Sequence, residues 1–204
     1  MKERGMIFNG EMVNAILSGR KTLTRRPIKW KQTRFTEIAE RDDGSLWPWA
    51  EDCERGGDIW FACPYGEIGD RIWVRETFRV HSRATDVATL VYRASVRNSW
   101  TEQTHRVPVA VCNKPATPEK WTPSIHMPRW ASRITLEITD VRVERLNSIT
   151  ESDAEAEGVT DTGFGDLLVD GFRYLWKSIY GDDSWQANPW VWVIEFKRVE
   201  GGTA

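Results

Sequence analysis

The segment from Arg71 to Val80 alternates apolar and polar residues with a period of two. This period is typical of a β-strand that packs one face against the protein interior. A buried carboxylate requires a partner or a function, so the glutamate within the apolar set is the first candidate site residue. The residues predicted to face inward are Ile72, Val74, Glu76, Phe78 and Val80.

The rest of the chain predicts several more strands and about three short helices. Strands are predicted at 89–94, 130–146 and 189–199, and a hairpin between about 44 and 63. Helices are predicted within 6–19 after an extended lead-in, at 150–158 with Thr150 as N-cap, and at 171–181. There is no βαβ rhythm, which favours an α+β protein with a mixed sheet or small barrel and peripheral helices.

Several classes are disfavoured by composition. The sequence contains no run of about 18 apolar residues, so no membrane-spanning helix is predicted. The N-terminus lacks the apolar region of a signal peptide. Three cysteines make no disulfide framework, which fits a reducing cytoplasm. No CxxC, HxxxH, phosphate-loop or GxSxG pattern is present, so we expect no metal and no cofactor.

Charge and aromatic content point to a local ligand site. The net charge is −2, so any nucleic-acid contact must come from a local basic patch. Such a patch runs from Arg20 to Arg34, which is rich in lysine and arginine and holds no acid. The chain has twelve tryptophans, and tryptophan side chains either fill a protein core or stack on nucleic-acid bases. We expect most of them to be packing residues, with one or two near a ligand.

The stretch "SGRKTLTRRP" has three possible interpretations. We predict that it leaves the first helix as a turn, with Lys21 and Thr24 on the same side. A threonine is a nucleophile only beside a base, and a lysine is a base only if burial lowers its pKa. Arg25 and Arg26 offer forks suited to phosphate. Catalysis, anion contact and a solvated basic face all remain open, and Lys21 or these arginines are the expected cations beside Glu76.

A second unusual stretch is "TPSIHMPRWASR". Two prolines bracket His126 in an extended loop, and Arg129 and Trp130 follow at the start of the predicted long strand. A histidine beside an arginine and a tryptophan is a candidate for recognising a nucleic-acid base or for transferring a proton. The alternative is an ordinary hydrogen-bonded loop histidine.

These stretches resemble a known family. "ILSGRKTLTRRP", "GDRIWVRETF" and the late "WVWVIEF" are similar to ASCH domains of the PUA-like superfamily, and "SIHMPRWASRI" is similar to the phage and prophage branch. The resemblance implies one domain over 1–199, a PUA-like mixed β-barrel with peripheral short helices. Segments of about 30–65 and 81–120 would be insertions, and 200–204 a disordered tail.

The resemblance also implies a function. Small ASCH enzymes remove the acetyl group from N4-acetylcytidine, and the matching catalytic residues here are Lys21, Thr24 and Glu76. Alternatives are a non-catalytic reader of RNA or modified nucleic acid, and a metal-independent ribonuclease that uses His126 with Lys21. The expected partner is a nucleoside or single-stranded nucleic acid, with RNA favoured, and the oligomeric state stays open. The predicted ligand-binding residues are Arg25, Arg26, Trp73, Arg75, His126, Arg129 and Trp130.

Overall fold

The computed structural model of the protein describes residues 1–30, 37–95, 104–160 and 167–199. The predicted tail at 200–204, and parts of the two predicted insertions, lie outside these residues. The strands are β1 (Glu3–Ile7), β2 (Leu23–Pro27), β3 (Glu37–Glu40), β4 (Leu46–Glu51), β5 (Asp58–Trp60), β6 (Arg71–Arg75), β7 (Phe78–Arg83), β8 (Val87–Tyr92), β9 (Thr104–Pro108), β10 (Thr135–Arg145) and β11 (Trp190–Val199). The helices are α1 (Gly10–Leu17), α2 (Glu151–Ala156) and α3 (Leu168–Tyr180).

The chain is a mixed α+β protein of mostly sheets with a few short helices, as predicted. Within the described ranges no sheet closes into a barrel, so the PUA-like barrel is not confirmed. The same ranges hold no helix that is long and apolar enough to cross a membrane.

The chain divides into two compact units, each built from separate stretches of sequence. The first unit comprises Met1–Gly19, Asp70–Glu137 and Lys197–Ala204, and the second comprises Arg20–Gly69 and Ile138–Phe196. The single domain over 1–199 stays a prediction.

Described strands of the first unit lie in two sheets. Strand β6 lies between β1, to which it is parallel, and the start of β10, to which it is antiparallel. Strands β7, β8 and β9 form an antiparallel sheet with β8 in the middle. The core of this unit is Phe78, Val80, Ala88, Leu90, Tyr92, Val107, Cys112, Met127 and Ala131.

The predicted strand at 71–80 is two strands, and Glu76 lies at the break between them. The prediction of which residues face inward is confirmed, because all five of them are at most 2% exposed. The ladder breaks because the chain then pairs with new partners. Phe78 exchanges backbone hydrogen bonds with Thr122, at 3.1 and 2.7 Å, and the Arg93 amide donates to the Thr77 carbonyl at 2.9 Å.

Gly5 on β1 has no room for a side chain. An ideal Cβ there would lie 2.6 Å from Cζ2 of Trp73 and 2.9 Å from Cδ of Arg75. We expect Gly5→Ala to lower the free energy of unfolding by about 1–3 kcal/mol, because the indole must shift. Urea denaturation measures this. Gly10→Ala is the matched control, since its Cβ would meet nothing closer than 3.8 Å; equal effects of the two would contradict the close approach.

The second unit contains β2, β11 and the rest of β10, with β11 antiparallel to β2 and also adjacent to β10. A separate antiparallel sheet has the order β3, β4, β5. Its β4–β5 pair is the predicted hairpin, in which Trp49 lies opposite Trp60. The core of this unit is Leu23, Leu146, Ile149, Ala154, Phe172, Trp176, Val191 and Val193.

The turn predicted for Lys21 to Arg26 is wrong. Residues Leu23–Pro27 form strand β2, in which Thr24 lies opposite Ile194 and Arg25 opposite Val193. The pairing strand comes from the far end of the sequence. Local residues therefore carry no sign of it, and the proline only ends the strand.

Two of the helices begin at a residue whose side chain caps them, and one of these caps, Thr150, was predicted. The Asn9 side chain accepts from the Met12 amide at 2.8 Å and so begins α1. Thr150 and Asp153 form a reciprocal capping box at the start of α2, with both hydrogen bonds at 3.1 Å. Strand β10 begins at Thr135 rather than at 130, because Arg129–Ala131 forms a 3-10 turn.

Candidate ligand cavity and buried ion pairs

The first unit holds a cavity of about 940 Å³. One wall is the start of α1 with its cap, and another is the break between β6 and β7. The remaining wall comes from the segment after β8 and from the segment before the 3-10 turn at Ser124–His126. The lining residues are Ile7, Phe8, Asn9, Gly10, Glu11, Asn14, Glu76, Thr77, Arg93, Ala94, Trp121 and Ser124.

Glu76 is held at this wall by a bidentate ion pair. Arg133 donates from Nε to Oε1 at 2.8 Å and from Nη2 to Oε2 at 3.0 Å, and Nη2 also donates to Oγ of Ser95 at 2.8 Å. The guanidinium lies 4.1 Å above the ring of Tyr92, whose hydroxyl donates to the Ala131 carbonyl at 2.7 Å. Two parallel hydrogen bonds and a stacked ring fix the orientation of the carboxylate.

Burial controls the protonation of this cluster. It raises the pKa of Glu76, an effect that the Arg133 hydrogen bonds and charge oppose. It also raises the pKa of Tyr92 well above its ordinary value, and burial followed by the charge of Arg133 lowers the pKa of His105. A carboxyl with a raised pKa at a cavity wall is a candidate for proton transfer.

The cation beside Glu76 differs from the expectation. Sequence analysis predicts Lys21 or the arginines of the same motif there, but the structure places Arg133 in that position. Arg133 lies within the quoted "PRWASR" stretch, where no local pattern marks it as a partner of Glu76.

Lys21 has its own carboxylate in the second unit. Its ammonium donates to Oε2 of Glu157 at 2.5 Å, to the Glu157 carbonyl at 2.8 Å and to the Leu23 carbonyl at 2.8 Å. These contacts use all three donors of the ammonium. Its side chain has no exposed surface, and burial lowers the pKa of Lys21 while the Glu157 carboxylate opposes that shift.

The "GRKT" segment also caps the end of α2. The Thr22 amide donates to the Ala156 carbonyl at 2.8 Å, and Nη1 of Arg20 donates to the Gly158 carbonyl at 3.2 Å. Together with the Lys21–Glu157 contact, these bonds satisfy carbonyls that a helix leaves unpaired at its C-terminus. Positive charge is favourable at that end, which explains part of the basic cluster.

Arg25 is also enclosed by acids. Its amide donates to Oε1 of Glu157 at 2.6 Å, and Nη2 donates to Glu144 at 3.1 Å and to Asp153 at 3.0 Å. The Arg25 side chain has no exposed surface, so the solvated-face interpretation is wrong for Lys21 and Arg25. Protein carboxylates neutralise the guanidinium, and its contact with phosphate stays a prediction.

The three predicted catalytic residues fall in different units. Lys21 and Thr24 belong to the second unit and Glu76 to the first. Thr24 is buried on β2, at 2% exposure. Arg26, also on β2, is half-buried and lies opposite Trp192 of β11.

Among the predicted ligand residues, Arg75 binds the backbone of the turn that contributes Ser124 to the cavity wall. It donates from Nε to the Ser124 carbonyl at 3.2 Å and from Nη2 to the Ile125 carbonyl. Its guanidinium lies 5.4 Å from the ring of Trp73, which in turn covers Gly5. Arg75 and Trp73 therefore support the turn that contributes Ser124 to the cavity.

The other three predicted ligand residues have different surroundings. His126 is exposed on the 3-10 turn. Arg129 donates to Glu3 at 2.9 Å on the surface, and Trp130 packs edge-on against Phe78 with centroids 6.3 Å apart. Base stacking by Trp130 and the ribonuclease role of His126 stay predictions.

Sequence analysis missed the acids that partner the basic motif, as well as Arg133 and Trp121. Two of these acids, Asp153 and Glu157, lie in "ESDAEAEG", and the separation of this acidic segment from the basic stretch along the chain was a signal that could have found them. Across the described ranges, no group of three or more histidine, cysteine, aspartate or glutamate side chains is arranged to hold a metal ion.

Comparisons with known proteins leave the family open. No family model matches the chain, and no curated protein matches it. One solved structure, a protein of Enterococcus faecalis from the DUF984 family, is similar with a TM-score of 0.44 and 11% identity, over 100% of this chain and 84% of that one. A likeness of this size carries no argument about function, which therefore rests on the site geometry.

Proposed function

We propose that the protein is a nucleoside-directed amidohydrolase that removes an acyl group from the N4 amine of a cytidine or a related modified base. The cavity of the first unit is its substrate pocket. The observation that carries the proposal is Glu76, a buried carboxyl with a raised pKa at the wall of that cavity. Such groups are concentrated at acid–base sites.

The size and lining of the cavity support a nucleoside ligand. Its volume of about 940 Å³ falls within the roughly 300–1,000 Å³ of small-molecule sites. The Arg79 guanidinium lies 4.6 Å from the ring centroid of Trp121, and the other face of this indole is offered to a base. The Asn14 amide both donates and accepts hydrogen bonds. Arg93 is exposed at the wall and supplies donors for ribose or phosphate oxygens.

In the proposed reaction, water adds to the acyl carbon and the carbon–nitrogen bond breaks. Glu76 takes a proton from the water and delivers it to the leaving amine, so water is consumed and a carboxylic acid and a free amine form. Arg133 occupies one lone pair on each carboxylate oxygen and leaves others for water. We include Lys21 and Thr24 as catalytic residues, and the PUA-like barrel as the fold, because the sequence resembles ASCH domains.

We expect Glu76→Gln to lower kcat for N4-acetylcytidine by about 100-fold or more, because the amide cannot carry a proton. The measurement is chromatographic hydrolysis of N4-acetylcytidine and other N4-acylated cytidines. Glu119→Gln, an exposed change in the same unit, is the control and should leave kcat unchanged. Thr24→Val tests the threonine hydroxyl in the same assay while keeping the shape of the side chain.

A second candidate function is non-catalytic binding of the same ligands. The favouring observation is that protein acceptors occupy all three donors of Lys21, so this lysine is held as a structural cation. Absence of turnover with every acylated cytidine would contradict the amidohydrolase. Calorimetric binding of those nucleosides without turnover would then support the reader, and oligonucleotide affinity that falls with salt would place phosphates in the contact.

A further inference from the structure

The second unit holds a separate cavity of about 810 Å³ beside the β4–β5 hairpin. Its walls include Trp47 on β4, Trp60 on β5 and Arg41 in the turn before β4. Asp140 and Arg142 of β10 line the same space. None of these residues belongs to the first unit, so this cavity is independent of the one in the proposed function.

The guanidinium of Arg41 stacks on two tryptophan rings. Its guanidinium carbon lies 4.0 Å from the ring centroid of Trp47 and 5.2 Å from that of Trp60. Within the described ranges the guanidinium makes no hydrogen bond and no ion pair. Stacking fixes a planar fork at low cost in rotamer entropy and leaves its N–H donors available.

The tryptophans are themselves well anchored. Nε1 of Trp47 donates to the Phe61 carbonyl at 2.6 Å, and its ring packs at 5.0 Å against Trp192. Trp49, opposite Trp60 in the hairpin, donates to Asp58 at 2.8 Å. These contacts hold the rings on which Arg41 stacks, so its guanidinium is preorganised for a specific contact.

The surrounding charge selects against an anion. Asp42, Asp43 and Asp58 line a smaller adjoining pocket that also contains Arg41, and Asp140 lines the main cavity. Phosphate or carboxylate ligands would meet these like charges. A neutral planar ligand with two adjacent acceptors fits the fork without that repulsion, and the O6 and N7 atoms of guanine are the commonest such pair for arginine.

We propose that this cavity is a second binding site, which takes a guanine base through bidentate hydrogen bonds from Arg41. The site does not depend on the amidohydrolase proposal. Asp140 keeps acceptor capacity beyond its 3.1 Å bond from Arg142 and offers it to the donors on the opposite edge of the base.

The test is isothermal titration calorimetry of the full chain with guanosine, adenosine and 7-deazaguanosine. We expect guanosine to bind at one site, and adenosine and 7-deazaguanosine, which lack the acceptor pair, to bind roughly tenfold or more weakly. Arg41→Lys keeps the charge but loses the fork, and we expect a similar loss of guanosine affinity. Arg55→Lys, an exposed change in the same unit, should leave the affinity unchanged.

Equal affinity for guanosine and adenosine would overturn the inference, as would unchanged guanosine binding in Arg41→Lys or no detectable binding of guanosine. Glu76→Gln distinguishes the two cavities, because it should lower kcat for hydrolysis by about 100-fold or more and leave guanosine binding intact. Loss of guanosine binding in a Glu76→Gln protein that remains folded would assign the ligand to the first cavity and so also contradict this site. A matching titration with a guanine-containing single strand distinguishes a free nucleoside from a base within nucleic acid.

Discussion

Replacing Lys21 by methionine should lower the free energy of unfolding by about 3–5 kcal/mol, because it removes the nearest charged partner of the buried Glu157 carboxylate. Glu157 is 2% exposed. Its carboxylate contacts the Lys21 ammonium and the Arg25 amide, and the Arg25 guanidinium lies 3.8 Å from Oε1. Urea denaturation at pH 7 measures the change. Lys29→Met removes an exposed lysine of the same segment and should change stability by less than about 0.5 kcal/mol.

A double-mutant cycle identifies the cause. Lys21→Met combined with Glu157→Leu removes both charges, so we expect the pair to be less destabilised than the sum of the single changes. Additive effects would show that the two side chains do not interact. A Lys21→Met protein as stable as the wild type would contradict the structural role and return Lys21 to the predicted catalytic set.

This result also governs how activity data are interpreted. Loss of hydrolysis in a Lys21 variant indicates catalysis only if the variant is folded under the assay conditions. Stability must therefore be measured beside activity, since the ammonium supports β2 and the end of α2 together.

Arg133→Met should lower the free energy of unfolding by about 3–5 kcal/mol at pH 7, because Glu76 then lacks its bidentate partner. The variant also loses the Ser95 hydrogen bond and the stacking on Tyr92. Arg129→Met is the control. It breaks an exposed pair with Glu3, and such pairs contribute about 0–1 kcal/mol.

The contribution of Glu76 to the free energy of unfolding changes with pH in a defined direction. Burial raises the pKa of Glu76 in the folded state, so the folded protein holds a proton that the unfolded chain, with a pKa of about 4.3, has lost. Stability from this group is therefore present below the unfolded pKa and falls as pH rises towards the folded pKa. Without Arg133 the pKa rises further, and the fall extends to higher pH.

Unfolding of Arg133→Met and of Arg133→Met with Glu76→Gln, measured between about pH 4 and 8, isolates this effect. We expect the single variant to lose stability relative to the double variant as pH increases. A difference that stays constant over this interval would contradict ionisation of a buried Glu76.

Much of the local structure followed from the sequence alone. The alternation of Arg71 to Val80 placed Glu76 on the inward face, and the hairpin with Trp49 and Trp60 formed as expected. Thr150 capped α2 as predicted. These features depend on periodicity and on hydrogen bonds between near neighbours, so a single stretch of sequence contains the information that determines them.

The tertiary structure decided which groups the charged residues meet. Lys21 pairs with Glu157, and Glu76 pairs with Arg133, at sequence separations of 136 and 57 residues. Strand β2 exists because β11 lies beside it. The alternation at 71–80 predicted that Glu76 would be buried, whereas the sequence left the burial of Lys21 open. A buried charge is neutralised by whichever opposite charge the chain path brings within hydrogen-bonding distance, and no local pattern encodes that path.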